Sequence, residues 1–279
     1  METKTADISA QQKASWNKFS PGWKKWDDLV IRFLAPLGDA MIAHLDPKGT
    51  QRILDVAAGT GEPGLRIAER IPEGTVVITD LSDGMLQVAV EKAASAGLGN
   101  VEFREADANA LPFPDDSFDA VSCRLGFMFF PDMAQAAREM ARVLKPGGRI
   151  ATVVWAEPER NTWMTIMVHG IRKHLDLPPP DPNAPGVFRC GRPEMMAELF
   201  AGAGFKNVAE RDVPCEMQVD GPAQYWQHVT EIAAPVMAAL EGADAETVER
   251  VKADVMAAVA EQFPEGRMPG IARIIVGEK

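Results

Sequence analysis

Basic residues are scarce in this chain. Its 279 residues hold 29 Lys and Arg against 40 Asp and Glu, a formal charge of −11 at pH 7. Nucleic acids are bound through basic patches that displace counterions. No Lys/Arg cluster with interleaved aromatics occurs, so a nucleic-acid partner is not expected. No apolar run is long enough to span a membrane, and residues 1–12 lack the apolar core of a signal peptide. Cysteine is rare: Cys123, Cys190 and Cys215 are scattered, which suits a reducing cytoplasm better than a disulfide framework. Tyrosine is rarer, with Tyr225 alone. No internal repeat is visible. The 46% of hydrophobic residues supply core enough for one sheet domain plus an appendage.

The most informative segment is Ile53-Leu54-Asp55-Val56-Ala57-Ala58-Gly59-Thr60-Gly61-Glu62-Pro63-Gly64. An apolar run reaches an acid, a glycine-rich turn follows, and Leu65 to Arg70 reads as a helix. This is the first strand–turn–helix unit of an open parallel sheet that binds a nucleotide-like ligand at its carboxyl edge. Gly59 and Gly61 let the backbone approach a ligand where a side chain would collide. Pro63 suits a first helical turn. The spacing Gly59-x-Gly61-x-x-Gly64 also matches a dinucleotide fingerprint. Asp55 decides against it, because a carboxylate there would repel a pyrophosphate and attract a cation such as the sulfonium and ammonium of S-adenosylmethionine. The plainer alternative is that Asp55 caps the turn. An NAD(P) oxidoreductase also lacks its catalytic Tyr/Lys or Cys/His pair here.

Strand and helix then alternate. Thr75 to Asp80 is a β-branched strand ending in an acid, about twenty residues past the glycines, where a ribose diol is held. Ser82 reads as an N-cap to a helix carrying Met85, Leu86, Ala89 and Val90. Val101 to Glu105 is a third strand and Phe118 to Ser122 a fourth. Asp132 and Gln135 start a helix that Lys145-Pro-Gly-Gly148 stops, and Arg149 to Trp155 is the fifth strand. The alternation makes the sheet α/β and parallel at its core.

The series Asp55-Val-Ala-Ala-Gly59-Thr-Gly61, Asp80-Leu-Ser-Asp-Gly-Met85-Leu, Ala106-Asp107-Ala108-x-x-Leu111-Pro-Phe-Pro114, Phe118-Asp-Ala-Val121 and Arg142-Val-Leu-Lys-Pro-Gly-Gly148 resembles the class I S-adenosylmethionine (SAM)-dependent methyltransferases. Within them it is most similar to the group of ubiquinone/menaquinone C-methyltransferases and small-molecule methyltransferases. The likeness runs from Arg52 to Trp155 and loosens beyond. It implies a Rossmann-like sheet of order 3-2-1-4-5-7-6 with the last strand antiparallel, and SAM as cofactor. It implies that Asp55, Ala57, Gly59, Gly61 and Gly64 form the turn around the methionine portion, and that Asp80, beside Leu81, bonds the ribose. Met85 should pack on adenine, Asp107 should accept from its amino group with Ala108 facing the ring, and Cys123 and Arg124 should line the methyl donor. Ala57 stands where many members have glycine, and Arg124 replaces a small polar residue of the quinone-methylating members.

Three parts are expected: an N-terminal helical cap (1–50), the cofactor-binding core (51–155), and a C-terminal part carrying lid insertions (156–279). Trp16, Phe19, Trp23 and Trp26 crowd the cap, either packing it or forming an aromatic lid. Residues 177–185, with five prolines, read as a rigid loop. Pro193 to Ala203 reads as a helix, Phe205 to Val219 as the sixth strand, 224–261 as inserted helices, and Gly270 to Val276 as the last strand. The pocket is assigned to Trp23, Phe127, Met128, Trp155, Met164 and Trp226, which suit a small hydrophobic or aromatic acceptor. Methyl transfer is an in-line displacement that alignment and desolvation accelerate, and a base is needed only if the acceptor loses a proton. Among His44, His169, His174 and His228, His169 is the weak candidate, and no catalytic residue is assigned. Two alternatives are an arsenite methyltransferase holding As(III) on thiolates, and a non-catalytic SAM-binding protein.

Overall fold

The computed structural model describes residues 2–177, 181 and 184–279, so most of the proline-rich loop expected at 177–185 lies outside the described residues. Two helices, α1 (Glu2–Lys25) and α2 (Asp27–Leu45), precede the sheet. Then follow β1 (Arg52–Val56), α3 (Gly64–Arg70), β2 (Thr75–Asp80), α4 (Asp83–Ser95), β3 (Val101–Glu105), β4 (Phe118–Arg124), α5 (Met133–Val143) and β5 (Leu144–Trp155). The rest comprises α6 (Thr162–Arg172), α7 (Met195–Gly202), β6 (Lys206–Gln218), α8 (Pro222–Ile232), α9 (Ala234–Leu240), α10 (Ala245–Gln262) and β7 (Arg267–Glu278).

The seven strands form one sheet of order β3-β2-β1-β4-β5-β7-β6. The first five are parallel, while β7 runs antiparallel to both β5 and β6. This is the order and polarity that the family resemblance implies. The central strands β1 and β2 are buried almost continuously, as strands covered on both faces must be. The edge strand β3 alternates between exposed and half-buried residues.

Helix α2 buries Phe33, Leu37, Met41 and Leu45 at four-residue intervals, one apolar stripe laid on the sheet. Ser82 caps α4 by accepting from the Met85 amide at 3.0 Å, and Asp132 caps α5 by accepting from the Gln135 amide at 2.9 Å. The Lys145-Pro-Gly-Gly148 stretch differs from expectation. It ends α5 yet already belongs to β5, whose pairing with β4 slips between Phe118↔Leu144 and Ala120↔Arg149, with Gly147 at φ +77°. That slip is a bulge, and glycine tolerates its positive φ without a Cβ penalty. Helices α8, α9 and α10 are inserted between β6 and β7, and α1 lies between α4 on one side and α8 and α9 on the other.

Candidate functional site: a continuous cavity at the carboxyl edge

The carboxyl ends of β1, β2 and β4 open into a cavity of about 410 Å³. The turn after β1 forms its floor through Ala57, Ala58, Gly59 and Thr60. Gly59 sits at φ +56° with open space where a Cβ would stand. Ala57 shares the left-handed region at φ 53°, a conformation that costs about 1–2 kcal/mol for a residue with a Cβ.

Asp80 ends β2 on the cavity wall. One carboxylate oxygen accepts from the Gly59 amide at 2.8 Å and the other from the Ser82 amide at 2.8 Å. Burial pushes its pKa up, while the amides of Ser82, Gly59 and Leu81 oppose that shift. The amides orient the carboxylate, which has about four acceptor positions in all and so can still accept from a diol. Leu81, Met85, Asp107 and Ala108 line the same region. Asp107 accepts from the Asn109 amide and from the Ser9 hydroxyl of α1, both at 2.8 Å.

Asp55 is placed differently from the expected contact with the methionine portion. Its carboxylate is fully buried and does not line the cavity. One oxygen accepts from the Gly64 amide at 2.8 Å and the other from the Ser122 hydroxyl at 2.7 Å, so Asp55 caps the turn and the start of α3. Burial raises its pKa to about 7. Gly61 and Gly64 are also packed inside: a Cβ on Gly61 would stand 2.7 Å from Leu65, and one on Gly64 2.8 Å from the Asp55 carboxylate. Their smallness serves packing. Arg124 does line the cavity, and the carboxylates of Glu62 and Asp55 lie in its field.

Cys123 is fully buried in the core beside Arg124 and does not reach the cavity. Successive strand residues face opposite sides, so the two cannot both point at a ligand. Burial raises the thiol pKa of all three cysteines. Cys190 lies against the Met133 sulfur and Cys215 against the Gly270 carbonyl, so the trio that an arsenite site needs is not assembled.

Away from the strand ends the cavity turns aromatic. Phe33 stacks on Trp155 at 5.7 Å between ring centroids, and Trp163 meets both edge-on. Trp23, Met128, Trp155 and Met164 line it. Phe127 and Trp226 do not. Phe127 is fully buried against Phe130 and Phe200, because neighbouring residues of its 3₁₀ turn point in different directions and Met128 takes the cavity side. Trp226 is half-buried on α8, whose Tyr225, His228, Val229 and Ile232 form the inward stripe. His169 is exposed on α6, outside the cavity lining, so its candidacy fails. His228 is the histidine that lines the cavity, and it is 2% exposed.

The cover is α1. Ser9 reaches Asp107, Lys13 pairs with Glu105, and Asn17 bonds Ser82, Asp83 and Gly84. From the same helix the Trp23 indole donates to the Ile232 carbonyl at 3.3 Å, and Lys25 pairs with Glu231 at 2.7 Å. Trp26, at the break before α2, donates to Glu231 at 2.7 Å. Helix α1 thus bridges the rim of the sheet and the inserted helices. Nothing local in the sequence marks Ser9 for its position, whereas His228 shares the helical spacing of Tyr225, Val229 and Ile232.

An oriented acid, a turn open to close approach and a half-apolar cavity suit a nucleoside ligand with a second, apolar partner. The methyltransferase domain family matches residues 53–148. The demethylmenaquinone methyltransferase of Thermus thermophilus is 46% identical over 169 residues, 57% of this chain and 76% of the relative. Among solved structures, the YcgJ protein of Bacillus subtilis superposes with a TM-score of 0.58 at 23% identity, over 88% of this chain and 98% of that one. A phosphoethanolamine N-methyltransferase of Haemonchus contortus, solved with phosphomonomethylethanolamine and S-adenosylhomocysteine, superposes with a TM-score of 0.54 at 18% identity over 87% and 52%. The chain belongs to the class I SAM-dependent methyltransferases, in the group that contains the demethylmenaquinone methyltransferases. Among the described residues no helix is long and apolar enough to cross a membrane.

Proposed function

We propose that this methyltransferase methylates a small, apolar or aromatic acceptor held in the aromatic half of the cavity. The observation that carries this reading is the continuity of one cavity from Asp80 and Asp107 to Trp155 and Trp163. SAM supplies an electrophilic methyl on a sulfonium. Asp80 holds the ribose diol, Asp107 the adenine amino group, and Met85 packs on the ring. The backbone of Ala58, Gly59 and Thr60 leaves room for the methionine portion. Arg124 keeps Glu62 and Asp55 compensated beneath it.

The rest of the machinery is alignment and exclusion of water. An in-line displacement gains most from reactants held in position, and a dry nucleophile is more reactive than a solvated one. Helix α1, α6 and α8 close the edge that the sheet alone leaves open. The relative from Thermus thermophilus is named for demethylmenaquinone, but the acceptor class proposed here rests on the cavity walls. The unpaired cysteines favour the cytoplasm as its setting.

Calorimetric titration with S-adenosylhomocysteine tests the assignment. Asp80→Ala should cost roughly 1.5–3 kcal/mol in affinity, the loss of charge-assisted bonds to the diol. Asp107→Ala should cost less, since one adenine contact goes and a backbone donor stays. Unchanged affinity in Asp80→Ala would remove the ribose role and with it this reading of the site.

A further inference from the structure

Several polar side chains on the cavity wall are already committed. Asp80 and Asp107 belong to the nucleoside end, and the Tyr225 hydroxyl donates to the Trp163 carbonyl. The Trp163 indole nitrogen has no partner, but it faces Gly270, where a Cβ would stand 2.8 Å away. His228 is left. It is 98% buried on the inward stripe of α8, and its ring is held edge-on by Trp26 at 5.2 Å between centroids. Nδ1 is buried without a hydrogen-bond partner among the described residues. No described residue bonds Nε2 either, and His228 lines the cavity. Burial pushes its pKa down to about 4, against the opposing field of Glu231, so the imidazole is neutral at pH 7. A neutral imidazole has one donor and one acceptor nitrogen.

We propose that His228 forms an acceptor subsite that recognises a hydroxyl group on an aromatic ring. The inference rests on the reading above, that the aromatic half of the cavity takes the acceptor. A burial as deep as this one is costly for an unpaired polar group unless a ligand completes it. A hydroxyl donates and accepts at once, so it satisfies either tautomer. A ring suits the walls of Trp23, Trp155 and Trp163. A purely hydrocarbon acceptor would leave the imidazole unpaired, which turns His228 into a discriminator between hydroxylated and bare rings.

The probe pair is 2-naphthol and 2-methylnaphthalene, equal in shape and differing by the hydroxyl. Each is titrated calorimetrically into protein saturated with S-adenosylhomocysteine. The unaltered protein should bind 2-naphthol about fivefold or more tighter than 2-methylnaphthalene, the scale of one net hydrogen bond. His228→Leu should erase that preference while keeping the affinity for 2-methylnaphthalene. His228→Gln, which retains a donor and an acceptor, should keep most of it. S-adenosylhomocysteine affinity should be equal in all three proteins, which also reports that they fold. Equal binding of the two probes to the unaltered protein, binding of neither, or a preference that survives in His228→Leu overturns the proposal. Failure of the unaltered protein to take up S-adenosylhomocysteine overturns the cofactor reading, and this proposal with it.

Discussion

At the nucleoside end of the cavity, Ala57, Gly59, Asp80 and Asp107 all lie within a few residues of a strand end, and backbone amides next to them fix their geometry. At the acceptor end the wall comes from α1, α2, α6 and α8, and its contact between Trp23 and Ile232 joins residues 209 apart. The first end is preorganised by the sheet and its turns, to which α1 adds Ser9 on Asp107 and Asn17 on Ser82. The second exists only when distant helices meet. Cofactor affinity and turnover should therefore respond to different substitutions.

Removing residues 1–26 is the strongest test of that separation. Turnover should vanish, because water enters the acceptor end. S-adenosylhomocysteine affinity should fall by no more than about tenfold, roughly 1.4 kcal/mol. Gly22→Ala is the gentler version: a Cβ there would overlap the Glu231 carbonyl and push α1 off α8. A truncated protein that methylates at the full rate would show that the tryptophans only pack.

Asp55 comes next, as a test of how the nucleoside end is kept in shape. It titrates near 3.8 when unfolded and near 7 in the fold, so the folded state holds the proton more tightly. Its contribution to stability is complete below about pH 4 and is lost as pH rises through about 7. Asp55→Asn should flatten that loss, on the order of a few kcal/mol, in denaturant midpoints measured at about pH 4 and pH 8. S-adenosylhomocysteine affinity should change by less than about threefold, because the carboxylate faces Gly64 and Ser122. Parallel stability profiles for the two proteins would contradict this.

The smallest effect is at Ala57. Replacing it with glycine removes the left-handed penalty but loosens the unfolded chain, for a net gain of about 0.5 kcal/mol. Thermal melts of the two proteins measure it, and a lower melting temperature would show that the Ala57 methyl packs usefully.

The same contrast explains what could be read in advance. The strands, the caps at Ser82 and Asp132, and the acids at Asp80 and Asp107 follow from local pattern, and so did the sheet order once the family was recognised. Facing directions did not. Phe127 and Met128 are neighbours, as are Tyr225 and Trp226, and composition cannot say which of each pair meets the cavity. On α8 the spacing of Tyr225, His228, Val229 and Ile232 does carry the inward stripe, yet the bulk of Trp226 draws attention away from it. On α6, His169, the weak candidate for a base, is exposed. Asp55 misled for another reason: a buried acid at the end of a strand serves a turn and a cation equally well on paper.

Four lysines hold α1 in place, pairing with Glu105, Glu241, Glu91 and Glu231, and all of these side chains keep a third or more of their surface in solvent. Each such pair is individually weak and screened by dissolved ions, whereas the apolar core is not. Raised ionic strength should therefore weaken the hold on α1 and leave the sheet untouched.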